Sequence, residues 1–228
     1  MIRFARGLAT ALFLGLLTAQ GSTAADAPKA AAAAAGPETY VIDRSHSYIG
    51  FQVRHFVSKV PGKFDAFTGS IVFDPKNLSG TQASVDIDAT SIDTDNDKRD
   101  NHLRSADFFD VENNPKITFK TTGVKASDAT HLQLTGDLTM RGITKPVTLA
   151  VEFLGVMPTR GTEKRAGFEA KGRVNRKDFN IMWNRVLDNG GTMLSDDVDL
   201  VIQVEAVKPG EEPKPAAPPA TAPSASKG

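Results

Sequence analysis

The sequence predicts an all-β protein, a closed antiparallel up-and-down barrel of about eight strands (lipocalin-like) with one short helical lid around residues 95–104. Three observations point there. Through most of residues 39–207, apolar and polar residues alternate at every second position, the period of strands with one buried and one wet face. The connections between these runs are short and rich in Gly, Asn, Asp and Pro, as antiparallel neighbours require. An open sheet of that many strands would leave long unpaired edges that invite aggregation, and closure removes them.

The first strands cover residues 39–43 and 47–55, joined by the polar bend Asp43-Arg44-Ser45-His46-Ser47. Ile49, Phe51, Val53 and His55 share one face, and Tyr48, Gln52 and Arg54 the other. Residues 57–64 read as a mixed segment in which Pro61-Gly62 signals a turn. Alternation resumes over 66–73 with Phe67, Gly69, Ile71 and Phe73, and 75–80 is turn chemistry. Over 82–89, Val85 and Ile87 oppose Asp86 and Asp88.

Residues 94–109 then break the pattern. Thr94 or Asp95 serves as N-cap, acids fill the first turn, and His102 and Arg104 fall near the helix end, where the macrodipole favours positive charge. Asn113-Asn114-Pro115 stops this segment, and a strand follows from Lys116 with Ile117 and Phe119 inward. Leu132, Leu134, Gly136, Leu138 and Met140 form one face of the next strand. A tight turn at 141–144 leads into Val147, Leu149, Val151 and Phe153. After a charged loop at 159–164 come Ala166, Phe168, Ala170, Gly172 and Val174. A bend at 176–180, Trp183 and a loose loop at 189–191 precede the last strand, 198–207, with Leu200, Ile202, Val204 and Ala206 inward.

The ends have a different composition. Arg3 and Arg6, an apolar run over 8–19 and small residues at 22–25 make residues 1–24 a Sec-type signal peptide, so the mature chain is expected in the periplasm. Residues 25–37 form an Ala-rich spacer, 38–208 the barrel, and 209–228 a Pro/Ala-rich tail expected to be disordered. Lys plus Arg equals Asp plus Glu at 27 each, so no global field draws the chain to nucleic acid. Cysteine is absent, which excludes disulfides, thiolate nucleophiles and cysteine metal sites. The segment 93–97 opens like a calcium loop, but Lys98 and Arg104 stand where a glycine and a glutamate are required. No metal and no cofactor are expected.

A barrel of this size is either just filled by its side chains or hollow enough for one small ligand. Glycines at 50, 69, 136, 155 and 172, with Ala89, Ala166 and Ala170, remove volume and favour the hollow form; a solid barrel whose glycines mark bends is the alternative. Phe51, Phe67, Phe119, Phe153 and Phe168 would line the walls, with Val53, Ile71 and Leu138.

Several motifs carry a resemblance. They are residues 43–56 with His46-Ser47 and His55; Gly62-Lys63-Phe64; Thr94 with Arg99-Asp100-Asn101-His102-Leu103-Arg104-Ser105-Ala106-Asp107-Phe108; Pro115-Lys116-Ile117-Thr118-Phe119; Gly136-Asp137-Leu138-Thr139 with Gly142; Arg165-Ala166-Gly167-Phe168; and Arg176-Lys177-Asp178-Phe179. Together they resemble the YceI family of bacterial periplasmic polyisoprenoid-binding proteins across nearly all of residues 39–207. The resemblance implies an elongated pocket for a long isoprenoid chain such as that of a respiratory quinone or a polyprenyl phosphate.

On that reading His46, His55, Arg99, His102 and Arg176 are the candidates to meet a head group, since histidine donates and arginine forks onto an oxyanion. The same arginines, with Asp43 and Asp100, could instead tie the lid and bends to the barrel. No catalytic motif is present: neither Gly-x-Ser-x-Gly nor His-Glu-x-x-His occurs. The expected function is a soluble carrier of an isoprenoid lipid. A membrane-bound quinone-using protein and a second copy of the chain are its candidate protein partners. A lipid-modifying enzyme using the histidines and a stress-protective protein with a filled barrel are the alternatives.

Overall fold

The computed structural model describes residues 36–159, 162–186 and 193–209. The expected signal peptide, most of the Ala-rich spacer and the tail beyond 209 lie outside these residues, as do residues 160–161 of the loop at 159–164 and the whole of the loop at 189–191.

The strands are β1 (Glu38–Ile42), β2 (Tyr48–His55), β3 (Ser58–Phe64), β4 (Phe67–Asp74), β5 (Asn77–Asp88), β6 (Ile92–Asp93), β7 (Lys116–Ala126), β8 (His131–Met140), β9 (Ile143–Pro158), β10 (Lys164–Asn175) and β11 (Leu194–Lys208), with helix α1 (Asp97–Arg104) between β6 and β7. Every pairing is antiparallel. The ring runs β1-β4-β5-β7-β8-β9-β10-β11 and closes where Val41 and Ile42 of β1 meet Val207 and Ala206 of β11. It is the closed eight-stranded barrel expected from the alternation.

Three ring strands continue past a break. β1 resumes as β2 beyond the short helical turn Arg44–His46, β3 leads into β4 across residues 65–66, and β5 resumes as β6 beyond Ala89–Ser91. The breaks are laced together: Arg44 Nη1 donates to the Asp65 carbonyl (3.1 Å), and Asp65 N–H donates to the Ser91 carbonyl (3.1 Å).

Two local expectations are corrected. Pro61-Gly62 is not a turn but lies inside β3, opposite Gln52 and Phe51. Proline is tolerated because β3 is an edge here, paired to β6 only at Lys63 and Phe64. Gly62 is required because a Cβ there would come within 2.4 Å of the Phe51 ring, which lies across the backbone. The helix is capped by neither Thr94 nor Asp95: the side chain of Asn96 accepts from Arg99 N–H (2.9 Å), and Thr94 is used elsewhere.

One end of the barrel is sealed by aromatic rings. Phe73 packs on Tyr40 (4.8 Å), Phe168 (5.1 Å) and Phe153 (5.4 Å) in tilted and edge contacts. Outside this plug, Glu38 on β1 binds Lys164 of β10 (2.8 Å) and Lys208 of β11 (2.7 Å), clamping the seam. Hydrogen bonds from Lys164 and then Lys208 pull the Glu38 carboxyl from 4.5 down to about 2.

A carboxylate depressed on folding contributes stability that is complete above its unfolded pKa and lost as the pH falls through the folded value. Between about pH 5 and about pH 2 the barrel should therefore lose about 1–2 kcal/mol at this site, after allowance for screening. Chemical denaturation of the protein and a Glu38→Gln variant checks this. The variant is less stable at neutral pH, and its deficit vanishes in acid; a deficit independent of pH places the acid sensitivity elsewhere.

Candidate functional site

Inside the ring lies a cavity of about 450 Å³. Its deep wall is built by alternate residues of the continuous strands, among them Ile71, Ala83, Phe119, Leu134, Leu138, Leu149, Ala170 and Ile202, and it ends on Phe168 of the plug. The barrel is hollow, and of the small residues expected to leave room Gly50 and Ala170 line the cavity. Gly136 shows how space is kept: a Cβ there would lie 2.3 Å from the Phe119 ring, so glycine lets that ring lie against β8 instead of crossing the lumen. Thr81 is the one hydroxyl among these deep strands' lining residues, and it donates to the Leu78 carbonyl (2.8 Å).

The other polar lining residues, His55, Thr94, Arg99, His102 and Arg176, gather at the opposite end, where lining residues are partly exposed. Among the described residues this mouth is formed by α1, the β2–β3 hairpin and residues 176–186 and 193–194. Thr94 is its organising residue. Its N–H and hydroxyl both donate to Asp100 Oδ1 (3.0 and 2.5 Å), while Arg99 donates through Nε to Thr94 Oγ1 (2.7 Å) and through Nη2 to the Thr94 carbonyl (2.6 Å). Asp100 is only 4% exposed, so the lid is pinned by a buried carboxylate whose oxygen is met by two donors.

The far end of α1 is fastened by Arg104, which donates to the Thr90 (2.8 Å) and Ile92 (2.7 Å) carbonyls. His102 projects from this helix into an aromatic group, edge-on to Phe108 and Trp183 (both 5.0 Å), with Nε2 2.9 Å from Asp107 Oδ2.

Arg176, also 4% exposed, holds the opposite side of the mouth. Its guanidinium donates to the carbonyls of Ser195 (3.0 Å), Ile181 (2.7 Å) and Trp183 (2.8 Å) and to Asp196 Oδ1 (3.1 Å). Burial lowers its pKa, and Asp196 works against that shift.

Of the residues expected at the ligand site, Phe51, Val53, Ile71, Phe119, Leu138, Phe168, His55, Arg99, His102 and Arg176 line the cavity. Three sit elsewhere. Phe153 belongs to the sealing plug, and Phe67 is buried in the core where β4 begins, opposite Ile87. His46 lies in the outer bend between β1 and β2, exposed, with Nδ1 2.9 Å from Asp43 Oδ2. Sequence reasoning missed Thr94 as a hub and the ring group of Phe108 and Trp183. The capping chemistry of residues 94–97 masks the first, and no period links the second.

Among the described residues the lining contains no aspartate or glutamate, and the nearest carboxylate to its histidines is Asp107, 2.9 Å from His102 Nε2. Among the described residues one cluster has metal-ligand chemistry, Asp43, His46 and Glu205, with ligand atoms within 4.8 Å of one another. It lies outside the cavity, and the Arg165 guanidinium binds both Asp43 and Glu205, taking the place a cation would fill. Ser45, His46 and Arg165 together hold the Asp43 carboxyl well below the usual range.

Residues 40–206 match the family described as the YceI-like domain. Protein YceI of Escherichia coli is 43% identical over 172 residues, covering 74% of this chain and 86% of that protein. The crystal structure of the Campylobacter jejuni YceI protein superposes with a TM-score of 0.60 at 32% identity, over 68% of this chain and 90% of that one. A more distant structure, a polyisoprenoid binding domain from Saccharophagus degradans, shares the fold with a TM-score of 0.52 at 15% identity, over 75% of this chain and 98% of that one.

Proposed function

The chain belongs to the YceI-like family, and from that premise we propose that it is a binding protein for a single long isoprenoid lipid, whose chain fills the lumen while its head group meets His55, Arg99 and His102. The observation that carries this reading is the polarity of the cavity: a deep wall of aliphatic and aromatic side chains with its free polar groups confined to one end. A distant structural neighbour is described as a polyisoprenoid binding domain, in keeping with the same cargo.

Burying about 400 Å² of isoprenoid surface at about 25 cal/mol per Å² gives about 10 kcal/mol before the cost of association. The lumen alone therefore accounts for affinity, and the mouth sets orientation. Carriage fits the site better than turnover. Both lining hydroxyls, Thr81 and Thr94, are engaged with the protein itself, and the His102 ring is packed between Phe108 and Trp183. With residues 1–24 read as a signal peptide, the place of action is the periplasm, and the role is to hold or carry the lipid across water.

Native mass spectrometry of the protein isolated from its own periplasm, followed by organic extraction, tests the reading. One prenyl quinone or polyprenyl phosphate per chain is expected. A lipid-free protein, or extracted lipids without an isoprenoid chain, would refute it.

A further inference from the structure

The mouth has a border that the cavity itself does not require. β2 and β3 are joined by the two-residue turn Phe56-Val57. Phe56 takes a φ of +51°, a left-handed conformation that costs a bulky side chain free energy and that asparagine or glycine adopts readily in such hairpins. Val57 is 94% exposed and Phe56 47%, its ring edge-on to His55 (4.6 Å), so the valine and half of the phenylalanine are left to solvent. Phe56 N–H donates to the Met193 carbonyl (3.1 Å), and Met193 N–H donates to the Arg185 carbonyl (3.0 Å). The turn is thus continuous with a segment on which Met182 is 57% and Val186 73% exposed, and whose Trp183 lines the cavity.

We propose that this border is a bilayer-docking rim. Phe56, Val57, Met182 and Val186 enter the boundary between headgroups and acyl chains, and the cavity mouth opens against the membrane, so that an isoprenoid chain passes between bilayer and lumen without crossing water. The inference rests on the lipid-binding reading above and adds the surface from which the cargo comes.

Charge fits the same partner. Arg54 stands directly opposite Lys59 on the hairpin, a like-charge pair that is unfavourable in water and that anionic headgroups relieve. Lys59 reaches Asp199 (2.7 Å), while among the described residues Arg54 and Arg185 form no ion pair. A second copy of the chain fits less well. Two of the apolar side chains sit on the hairpin turn and two on residues 182–186, beside Arg54 and Arg185, instead of forming the flat area of about 800 Å² per partner that a stable interface needs. A fluid interface accepts that relief, and an aromatic residue at its edge suits the headgroup level.

Trp183 is the only tryptophan in the chain and therefore a built-in probe. The mature protein is mixed with phosphatidylglycerol/phosphatidylethanolamine vesicles carrying brominated acyl chains, with unbrominated vesicles as control. Flotation and tryptophan quenching are read, alongside the prenyl lipid content of each preparation. The protein should float, with Trp183 quenched only by the brominated lipid. The double variant Val57→Asp/Val186→Asp should float at least tenfold less, with an unchanged melting temperature. Phe56→Gly should also float less, while its melting temperature rises by about 2 °C as the strained turn relaxes.

A protein that stays in the soluble fraction at every vesicle concentration, or a double variant that floats like the parent, overturns the proposal. So does a dimer in sedimentation that the double variant abolishes while neither protein floats, which assigns the rim to a second copy. The two readings fail separately. Loaded protein that does not float sinks the rim alone, and protein that floats without prenyl lipid sinks the cargo reading alone.

Discussion

Replacing Arg176 with leucine lowers the stability of the barrel by about 3–5 kcal/mol, the largest loss expected from any single change at the mouth. Leucine leaves the carbonyls of Ile181, Trp183 and Ser195 and the carboxylate of Asp196 without the guanidinium that now joins them. For a domain of this size the loss corresponds to a fall in melting temperature of roughly 6–20 °C. Arg176→Lys recovers only part of it, because a single ammonium cannot span four acceptors spread over two chain segments. Thermal unfolding of the two variants decides the matter. A leucine variant within about 1 kcal/mol of the parent would mean that water replaces the guanidinium at no cost.

The second large effect concerns cargo. Ala170 faces the lumen from β10, and Ala170→Phe places a ring where the lipid chain is proposed to lie. Displacing about 60 Å² of chain contact at about 25 cal/mol per Å² removes about 1.5 kcal/mol, close to tenfold in affinity, before any steric overlap is counted. The fold should not suffer, because the ring enters space that is already open. Prenyl lipid recovered per chain should fall at least tenfold with the melting temperature held or raised. Full lipid content in a folded variant would place the chain somewhere other than this lumen.

Phe168 is a poorer place for such a test. It faces the lumen but also packs on Phe73 and Phe153, so a charge there would open the plug and unfold the protein before it reported on the ligand.

The ring of strands was legible because each of them buries one face, and a period of two then writes the inward residues directly into the sequence. Leu132, Leu134, Leu138 and Met140 fall where alternation puts them. Pro61-Gly62 misled for a physical reason: residues that mark turns in general also serve an edge strand when the neighbouring ladder is missing and an aromatic ring needs room. Thr94 and Asp95 were plausible caps, yet Thr94 has a stronger use, since Asp100 and Arg99 bind it from both sides.

The mouth was the least legible part. Its polar residues come from positions 55, 94–102 and 176, and only tertiary closure brings them together. Chemistry by residue type could not separate Arg99, partly open to the lumen entrance, from Arg176, whose three nitrogens are all engaged inside the protein. Nor could it separate His102 at the entrance from His46 on the outer bend.

The three laced breaks divide the circumference into unequal panels. From β7 to β11 the strands run without a break, whereas beyond the breaks the hairpin of β2 and β3 hangs from β11 by seven residue pairs with a bulge between Leu194 and Val198 on one side and meets β6 by only two residue pairs on the other. A bulkier occupant is therefore expected to push that hairpin outward, bending the chain at residues 65–66, before it widens the far wall.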